Sequence, residues 1–406
     1  MTTGQNPNST RTRPQTQPHE RLRVAIVHHW FIRRGGGERV VERLAELFPQ
    51  ADLYSPLVAK SALGPVLQNR LPRQSFLRYI PGACRWHRLL LPLYPLALEQ
   101  FDLRDYDLVI TSESGPAKGV LTSARTCHIC YCHTPMRYIW DMYQDYRDKM
   151  PLGPIGRGAF ALGAHYLRQW DRAAADRVDY FLASSRNSAN RIHKCYRRDA
   201  QVVYPPVEID KFTPSADHDD YYLFVGRLVG YKRADLAIQA CNKLARPLRI
   251  IGEGEELPRL RREAGPTVRF LGALDDGEVR NHYRRCRALI FPGEEDIGLT
   301  PIEAQASGKP VIAFGQGGAL ETVNGLAPSD KFTGEQTGVF FDDPTPESLA
   351  GAIQRFEKLE HYFLPEAARR QAARFSADSF RENFLQAIQS CLYNFEARTD
   401  ARKRDT

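Results

Sequence analysis

The pattern that most constrains the fold is a strand, a glycine loop and a helix in close succession near the start of the chain. Residues Arg21 to His29 form a dense run of β-branched and apolar side chains, which is typical of a parallel strand buried on both faces. Gly35, Gly36 and Gly37 follow, and residues 38–48 then place apolar side chains at helical spacing. This order is typical of doubly wound α/β domains, in which helices cover both faces of a parallel sheet.

Strand and helix patterns alternate through the chain and start again near Tyr221. In the first half the further predicted strands are Ala51–Ser55, Leu108–Thr111, His128–Cys132 and Tyr180–Ala183, and the predicted helices include Leu162–Asp176 and Arg186–Tyr196. In the second half the predicted strands are Leu223–Val225, Leu248–Ile251, Val268–Leu271, Ala288–Phe291, Pro310–Ala313 and Val339–Phe341. The helices predicted there are Ala234–Leu244, Pro301–Ser307, Pro346–Glu357, Pro365–Phe375 and Ala377–Tyr393.

The chain length and a proline-rich stretch indicate two domains. A chain of 406 residues is too long for one ordinary core, and residues 203–214 have the proline content of an extended linker. We predict a first domain at residues 21–208, a second at 215–376 and a final helix at 377–395. Residues 1–20 are rich in Thr, Asn, Gln and Pro, which predicts a disordered leader and not a secretory signal. Ligands of open α/β sheets bind outside the carboxyl ends of the strands, so we expect a site in a cleft between the domains.

Composition narrows the class of protein. The sequence has no apolar run long enough for a membrane-spanning helix. With no export signal, the eight cysteines are most simply reduced thiols in the cytoplasm. The net charge of +8 would suit nucleic acid, anionic lipid or phosphorylated substrates. Because the arginines form no recognisable DNA- or RNA-binding motif, we predict no nucleic-acid partner.

One basic segment leaves two interpretations open. Between Arg70 and Tyr94 there are five arginines and no acidic residue, with Phe76, Tyr79 and Trp86 among them and a leucine-rich run at the end. Basic, aromatic and aliphatic side chains together suit an anionic membrane surface. The alternative is a pair of amphipathic helices that pack on their own domain.

Two cations follow the first strand of the second half. Arg227 stands directly after Gly226 at the predicted strand end, and Lys232 comes five residues later. A departing nucleoside diphosphate gains negative charge, which fixed cations can stabilise. Arginine binds phosphate oxygens in a bidentate way and lysine acts as a point charge. The alternative is two solvated cations on a loop.

Two glutamates lie further along, in the spacing Glu-x7-Glu. Glu295 stands in an acidic, glycine-containing loop, and Glu303 lies in the first turn of a predicted helix. Carboxylates there can accept hydrogen bonds from sugar hydroxyls, and the backbone N–H groups of Gly298, Leu299 and Thr300 can bind phosphate at the helix start. Glu303 also has a structural alternative, a capping box with Thr300 as the N-cap.

His133 ends a predicted strand of the first half and is expected to face the cleft, where it could touch a sugar. A structural histidine is the alternative. The segment Cys127–His133 contains three cysteines and two histidines, but strand alternation divides them between two faces, which argues against a zinc site. Asp217 and Asp219 precede a strand instead of following one, so we expect no metal there and no cofactor.

Together these motifs resemble the large retaining glycosyltransferase family 4 over residues 21–395. The resemblance implies the α/β GT-B fold, two facing Rossmann-like domains with a cleft between them, and a last helix that crosses back to the first domain. One local departure is Ile297, where the family usually has Phe. The resemblance also implies a role for each motif residue. Arg227 and Lys232 would bind the donor diphosphate, Glu295 would bind the donor sugar and Glu303 would bind the ribose. Gly35, Gly36 and Gly37 would form the glycine loop of the first domain, and His133 would lie near the sugar.

The blocks Pro92–Glu99 and His133–Asp141 resemble a narrower group, bacterial mannosyltransferases of O-antigen and exopolysaccharide assembly. That similarity implies GDP-mannose as donor, a lipid-linked saccharide as acceptor and a place on the inner face of the plasma membrane. We expect metal-independent transfer with retention, in which Glu295, His133, Arg227 and Lys232 serve catalysis. A nucleotide-sugar epimerase and a non-catalytic nucleotide-sugar-binding protein are the alternatives.

Overall fold

The computed structural model describes residues 22–148 and 153–404, so the predicted leader at 1–20 lies outside the described residues. The first half alternates strands and helices in the following order: β1 (Val24–His28), α1 (Gly36–Leu47), β2 (Asp52–Ser55), α2 (Pro65–Gln68), β3 (Arg73–Gln74), α3 (Tyr94–Glu99), β4 (Leu108–Glu113), β5 (Cys127–Cys132), α4 (Tyr143–Asp148), α5 (Gly153–Asp176), β6 (Tyr180–Ala183), α6 (Arg186–Tyr196) and β7 (Ala200–Val202).

The second half repeats the alternation and ends in three helices. Its elements are β8 (Tyr222–Val225), α7 (Ala234–Leu244), β9 (Leu248–Ile251), α8 (Leu257–Glu263), β10 (Val268–Gly272), α9 (Asp276–Arg285), β11 (Ala288–Phe291), α10 (Leu299–Ala306), β12 (Val311–Phe314), α11 (Ala319–Thr322), β13 (Gly325–Leu326), β14 (Gly338–Phe341), α12 (Pro346–Leu359), α13 (Pro365–Ala373) and α14 (Ala377–Arg404).

Each half builds one parallel sheet of seven strands. The first has the order β3-β2-β1-β4-β5-β6-β7 and the second β10-β9-β8-β11-β12-β14-β13. In each sheet the strand order reverses beside the first strand of the half, between β1 and β4 and between β8 and β11. Such a reversal opens a crevice at the carboxyl ends of the two strands. The predicted α/β class with two doubly wound sheets is confirmed.

The predicted main strands and most predicted helices are present with shifts of a few residues at their ends, whereas three short strands at sheet edges, β3, β7 and β13, were not predicted. The helix predicted from Leu162 begins earlier, at Gly153. Three further corrections concern ends of helices. α1 begins at Gly36, so two of the three glycines lie inside its first turn. α10 begins at Leu299 with Gly298 as its N-cap, so the structural alternative for Glu303, a capping box with Thr300 as N-cap, is wrong. α14 continues through Arg404, beyond the predicted end.

The last helix returns to the first sheet. Phe380, Phe384 and Ile388 of α14 are buried in the same apolar cluster as Ile26 of β1 and Ile110 of β4. The rings of Phe384 and Tyr131 of β5 meet edge-on with centroids 5.9 Å apart. Helix α14 therefore follows the second half in sequence but packs on the sheet of the first half. The domain limits drawn from the sequence stay a prediction.

Two crossings of the chain lie side by side between the sheets. Val207 of the linker forms a parallel bridge with Ser376, just before α14, and its N–H donates to the carbonyl of Phe375 at 2.8 Å. Arg369 of α13 donates to the carbonyls of Ile209, Phe212 and Ala306. The linker is therefore fixed to the second half at this point, beside the start of α14.

Candidate active site

The predicted site residues lie where the strand order reverses. Gly35, Gly36 and Gly37 follow β1, and Arg227 and Lys232 follow β8. Glu295 stands in the loop after β11, the strand that neighbours β8. Both crevices thus carry candidate ligand-binding groups, as expected for open α/β sheets.

The loop that carries Arg227 is held by a glycine turn of the neighbouring strand. A Cβ atom on Gly252 would lie 2.0 Å from the carbonyl oxygen of Gly226, and one on Gly254 would lie 2.1 Å from that of Leu228. The N–H of Leu228 donates to the carbonyl of Glu253 at 2.9 Å. These glycines therefore act by allowing two backbones to touch, which fixes the place where Arg227 leaves the strand. The Arg227 side chain is exposed and donates to the hydroxyl of Tyr231 at 2.9 Å.

Lys232 and Glu295 form a direct ion pair, Nζ to Oε1, although 63 residues separate them. A Cβ on Gly293 would lie 2.5 Å from the carbonyl oxygen of Tyr231, so only glycine lets the two loops stack this closely. On the other side of the loop, the N–H of Gly318 donates to the Glu295 carbonyl at 2.8 Å. The predicted diphosphate ligand and the predicted sugar ligand therefore meet at one place.

Glu303 lies in the second turn of α10, a helix whose first residue contacts the first half. The backbone of Gly298 has φ of 73°, a left-handed conformation that favours glycine, and a Cβ there would lie 2.7 Å from the ring of Phe291. The Tyr283 hydroxyl donates to Glu303 Oε2 at 2.8 Å. Burial raises the pKa of Glu303, and this rise is opposed by the Tyr283 hydrogen bond and by the charge of Arg39. Glu303 therefore has a partner other than the predicted helix cap.

The glycine loop of the first half closes on this helix. A Cβ on Gly36 would lie 2.9 Å from Cδ1 of Leu299, the first residue of α10. Arg39, one turn further along α1, reaches Glu303 at 3.9 Å and Asp276 at 3.3 Å. The two halves therefore meet at the start of α10, where the backbone N–H groups predicted to bind phosphate also lie.

His133 stands beside the same glycines. A Cβ on Gly37 would lie 3.6 Å from His133 Nε2 and 3.7 Å from Cε1 of His28. His133 Nε2 is 3.1 Å from Ser112 Oγ, and His28 Nδ1 donates to the Ser112 carbonyl at 2.7 Å. Burial, with the nearby His28 next in weight, lowers the pKa of His133 to about 3. The ring is therefore neutral at pH 7 and acts as a hydrogen-bonding group rather than as a cation.

Several residues at this site were not predicted from the sequence. Glu38 accepts from the N–H of Gly35 at 2.9 Å and faces His28, with Oε1 3.8 Å from Nε2. Tyr283 and Arg39 contact Glu303 from elements that are distant in the chain. Their positions in the sequence could have indicated some of them, because His28 ends β1 and Glu38 and Arg39 directly follow the predicted glycine loop.

Two groups of side chains include possible metal ligands. Glu113, Cys130 and Cys132 place one ligand atom each within 4.8 Å of one another and are buried. The ammonium of Lys118 lies 3.2 Å from Glu113 Oε1, and this positive charge disfavours a metal ion. Asp219 precedes β8 and pairs with Arg285 at 2.9 Å, on the opposite edge of the sheet from Arg227. All eight cysteines are free thiols.

Comparison with known proteins gives two family matches that together span most of the chain. Residues 34–211 match the model of Glycosyltransferase Family 4, and residues 207–375 match that of Glycosyl transferases group 1. Among curated relatives, the D-inositol 3-phosphate glycosyltransferase of Geodermatophilus obscurus is 28% identical over 239 residues, which is 50% of each chain. The enzyme of the same name from Mycobacterium leprae is 25% identical over 58% of this chain and 60% of its own. The chain therefore spans only about half to three-fifths of these relatives.

Solved structures share the fold at low sequence identity. Anabaena Alr3699/HepE in complex with UDP superimposes with a TM-score of 0.65 at 16% identity, over 91% of this chain and 100% of that one. Sucrose-phosphate synthase from Thermosynechococcus elongatus gives 0.62 at 16% identity, over 92% and 100%. The lipopolysaccharide outer core galactosyltransferase WaaB gives 0.60 at 18% identity, over 91% and 99%. With both halves matched in order and the two sheets in place, the chain belongs to the family 4 glycosyltransferases and has their GT-B fold.

Proposed function

We propose that this protein transfers a hexose from a nucleotide-sugar donor to an acceptor bound on the first domain. The observation that carries the proposal is the Lys232–Glu295 pair in the cleft, a cation suited to diphosphate in contact with a carboxylate suited to sugar hydroxyls. Arg227 is exposed beside it and free to turn from Tyr231 to phosphate oxygens. Glu303, with the first turn of α10, would receive the ribose and a phosphate.

The proposed chemistry is transfer with retention and without a metal ion. The bond from the anomeric carbon to the diphosphate oxygen breaks, and a bond from the same face to the acceptor oxygen forms. Arg227 and Lys232 stabilise the negative charge that develops on the leaving diphosphate. The acceptor's proton passes to the departing phosphate oxygen, so no side chain has to serve as base. His133, which is neutral, would hydrogen-bond the sugar.

For the donor we propose GDP-mannose, and for the acceptor a lipid-linked saccharide of cell-surface polysaccharide synthesis. The support is the similarity of the block His133–Asp141 to bacterial mannosyltransferases, together with the position of this block. It begins at His133 beside Gly37 and includes Arg137, which reaches the loop of Glu295 through Asp296 at 3.8 Å. The curated relatives are named for an inositol phosphate acceptor, so acceptor class is the part of the proposal that most needs an experiment.

Titration calorimetry with GDP, UDP, ADP and dTDP tests the donor site without knowledge of the acceptor. We expect selective binding of GDP, and weaker GDP binding when both cations are removed by Arg227→Ala and Lys232→Ala. Where transfer itself is assayed, the same double variant should lose roughly 100-fold or more in rate. The matched control is Arg285→Ala, which removes an exposed cation at the opposite edge of the same sheet. Tight binding of another diphosphate would refute GDP-mannose, and unchanged binding in the double variant would refute the role of both cations.

We also propose that the protein works at the inner face of the plasma membrane. No helix among residues 22–148 and 153–404 is long and apolar enough to cross a bilayer. In the structure, the ends of the segment Arg70–Tyr94 are part of the folded domain, whereas its middle is exposed. Arg70 donates to the carbonyls of Ala45 and Ala51, and Tyr94 is buried in the core, so its two ends serve the fold.

The middle of that segment is exposed and keeps the composition of a membrane-binding surface. It forms short turns of 3-10 helix and not the pair of amphipathic helices considered above. Arg78, Arg85 and Arg88 are exposed beside Tyr79, Trp86 and Leu89, which are each more than half exposed. The first half of α5 adds a second exposed apolar surface through Ile155 and Leu162. The two segments are neighbours, because Leu91 packs against the apolar cluster that contains Ala164 and Leu167 of α5.

Sedimentation with vesicles tests this surface. We expect the protein to bind vesicles of phosphatidylglycerol and phosphatidylcholine at low salt and to release them at high salt. The double variant Trp86→Ser/Leu89→Ser should lose most of the binding, whereas Leu364→Ser, which removes a similarly exposed leucine of the second half, should not. Absence of binding by the unaltered protein at low salt would refute membrane attachment.

A further inference from the structure

A cluster of charged side chains joins the first domain to the loop that carries Glu295. Asp296, the next residue in that loop, lies 3.0 Å from Nε of Arg191 in α6 and 3.8 Å from Nη1 of Arg137 in the segment after β5. Asn187, at the start of α6, donates to Asp296 at 3.4 Å. Three side chains of the first domain therefore converge on one carboxylate of the second.

The cluster is partly buried and joins opposite charges of the two domains. The side chains of Asp296, Arg191 and Arg137 are 17%, 17% and 18% exposed. Asp141 of the first domain pairs with both arginines. Two cations thus lie between Asp141 of the first domain and Asp296 of the second, and Glu294 of the second domain also faces Arg191 at 3.4 Å. Removing the charge of Asp296 would leave both arginines paired with Asp141 of their own domain, so it would weaken the charged contact between the domains.

A second contact fixes the same side of the cleft. The carboxylate of Glu321 in α11 accepts from the backbone N–H groups of Arg186 and Asn187 at 2.8 and 3.1 Å, at the start of α6. The hydroxyl of Tyr204 donates to the same carboxylate at 3.0 Å. A carboxylate at a helix N-terminus is favoured by the free N–H groups there. Helix α6 is therefore held by the second domain at two neighbouring points.

We propose that Arg191 and Arg137 are positioning residues that place Glu295 for the donor sugar by holding Asp296 from the first domain. Consecutive Cα atoms are only about 3.8 Å apart, so Glu295 moves when Asp296 moves. Glu295 itself contacts Lys232 of its own domain, whereas its neighbour is tied to the domain that would bind the acceptor. The sugar contact then forms fully only when the two domains are closed. This inference rests on the proposed donor site.

The test compares a bare diphosphate with the intact nucleotide-sugar. In Asp296→Asn we expect the affinity for GDP and UDP to stay within about two-fold, because the phosphate cations are untouched. We expect the affinity for GDP-mannose or UDP-glucose, whichever the unaltered protein binds, to fall about 10- to 100-fold, the scale of losing one hydrogen bond to a charged acceptor. A fold defect would weaken both ligands alike, so the split itself reports positioning.

Two further variants sharpen the comparison. Glu294→Gln removes a carboxylate that also faces Arg191, at 3.4 Å, but is 48% exposed, and we expect no split. Arg191→Lys keeps the charge and loses the fork, so it should retain more nucleotide-sugar affinity than Arg191→Ala. Equal loss for both ligands in Asp296→Asn, or no loss for either, overturns the proposal, as does a full effect in Glu294→Gln.

Hydrogen exchange separates failure of this proposal from failure of the proposed function. We expect Asp296→Asn to speed amide exchange in residues 294–298 and at the start of α6, with no change in Glu294→Gln. Unchanged exchange overturns the interdomain contact whatever the ligand does. If the unaltered protein binds none of these nucleotides but the exchange responds as expected, the donor assignment falls and the contact between the domains stands.

Discussion

Replacing Glu295 with glutamine should change the binding of a diphosphate and the binding of a nucleotide-sugar by different amounts. Glu295 pairs with Lys232, and their side chains are 16% and 15% exposed. A bound diphosphate has to draw Lys232 away from that partner. Exposed ion pairs contribute about 0–1 kcal/mol to stability, and loss of one partner of a buried pair costs about 3–5 kcal/mol. Because this pair is partly exposed, we expect separating Lys232 from Glu295 to cost an intermediate amount, about 1–2 kcal/mol. Glu295→Gln frees Lys232 and should tighten GDP or UDP binding about 5- to 30-fold.

The nucleotide-sugar should respond differently because its sugar loses a charged acceptor and keeps only a neutral amide oxygen. A hydrogen bond contributes about 1.5–3 kcal/mol with a charged group and about 0.5–1.5 kcal/mol with a neutral one, so the affinity for the nucleotide-sugar relative to the diphosphate should fall about 5- to 10-fold. Titration calorimetry of both ligands on the variant, with Glu294→Gln as the control, measures this ratio directly. Weaker diphosphate binding in Glu295→Gln would refute the reasoning, since it would mean that the glutamate supports Lys232 instead of competing for it.

Three further predictions concern stability and metal dependence. Burial lowers the pKa of His29 and His128, so below about pH 6.5 the unfolded chain takes up protons that the folded chain does not. Urea denaturation should therefore show the free energy of unfolding decreasing as the pH falls, by up to about 1.4 kcal/mol per pH unit for each histidine, and a pH-independent free energy would contradict their neutral burial. Gly298→Ala should destabilise by about 1–3 kcal/mol through strain and the Phe291 contact, whereas Gly351→Ala, where a Cβ meets nothing within 4 Å, should not destabilise. Transfer should persist in EDTA, and loss restored by a divalent ion would refute the metal-independent mechanism.

Much of the fold could be predicted because local sequence and final structure agree. Runs such as Val24–His28 are buried on both faces, and a buried parallel strand has to be apolar on both sides, so the signal is strong. The edge strand β3, Arg73–Gln74, carries no such signal because only two residues pair with β2. Its place follows from the sheet and not from its own composition.

The start of α10 shows how one local rule can override another. Thr300 followed by Pro301 and Glu303 has the spacing of a capping box, yet Gly298 ends the loop in a left-handed conformation and the helix starts one residue before Thr300. Gly298 determines where the helix starts for two reasons. Its φ of 73° favours glycine, and a Cβ atom at this position would lie too close to the Phe291 ring. Glu303 then turns to Tyr283, a contact that depends on the packing of α9 against α10 and has no counterpart in local sequence.

The contacts between the domains differ in kind at the two sides of the cleft. Beside the linker they are mixed: Val207 and Ile209 share an apolar cluster with Ile302 of α10 and Phe375 before α14, and Arg39 of α1 pairs with Asp276 of α9. At the far side they are ionic, as in Asp296 with Arg191. Interfaces that are more polar than a core permit relative motion of domains. An opening rotation about the linker would keep this apolar cluster packed and would separate ion pairs such as Arg191 with Asp296, whose charges are readily solvated in water. We therefore expect the cleft to open for donor and acceptor at small cost, with the charged contacts restoring one closed geometry around Glu295.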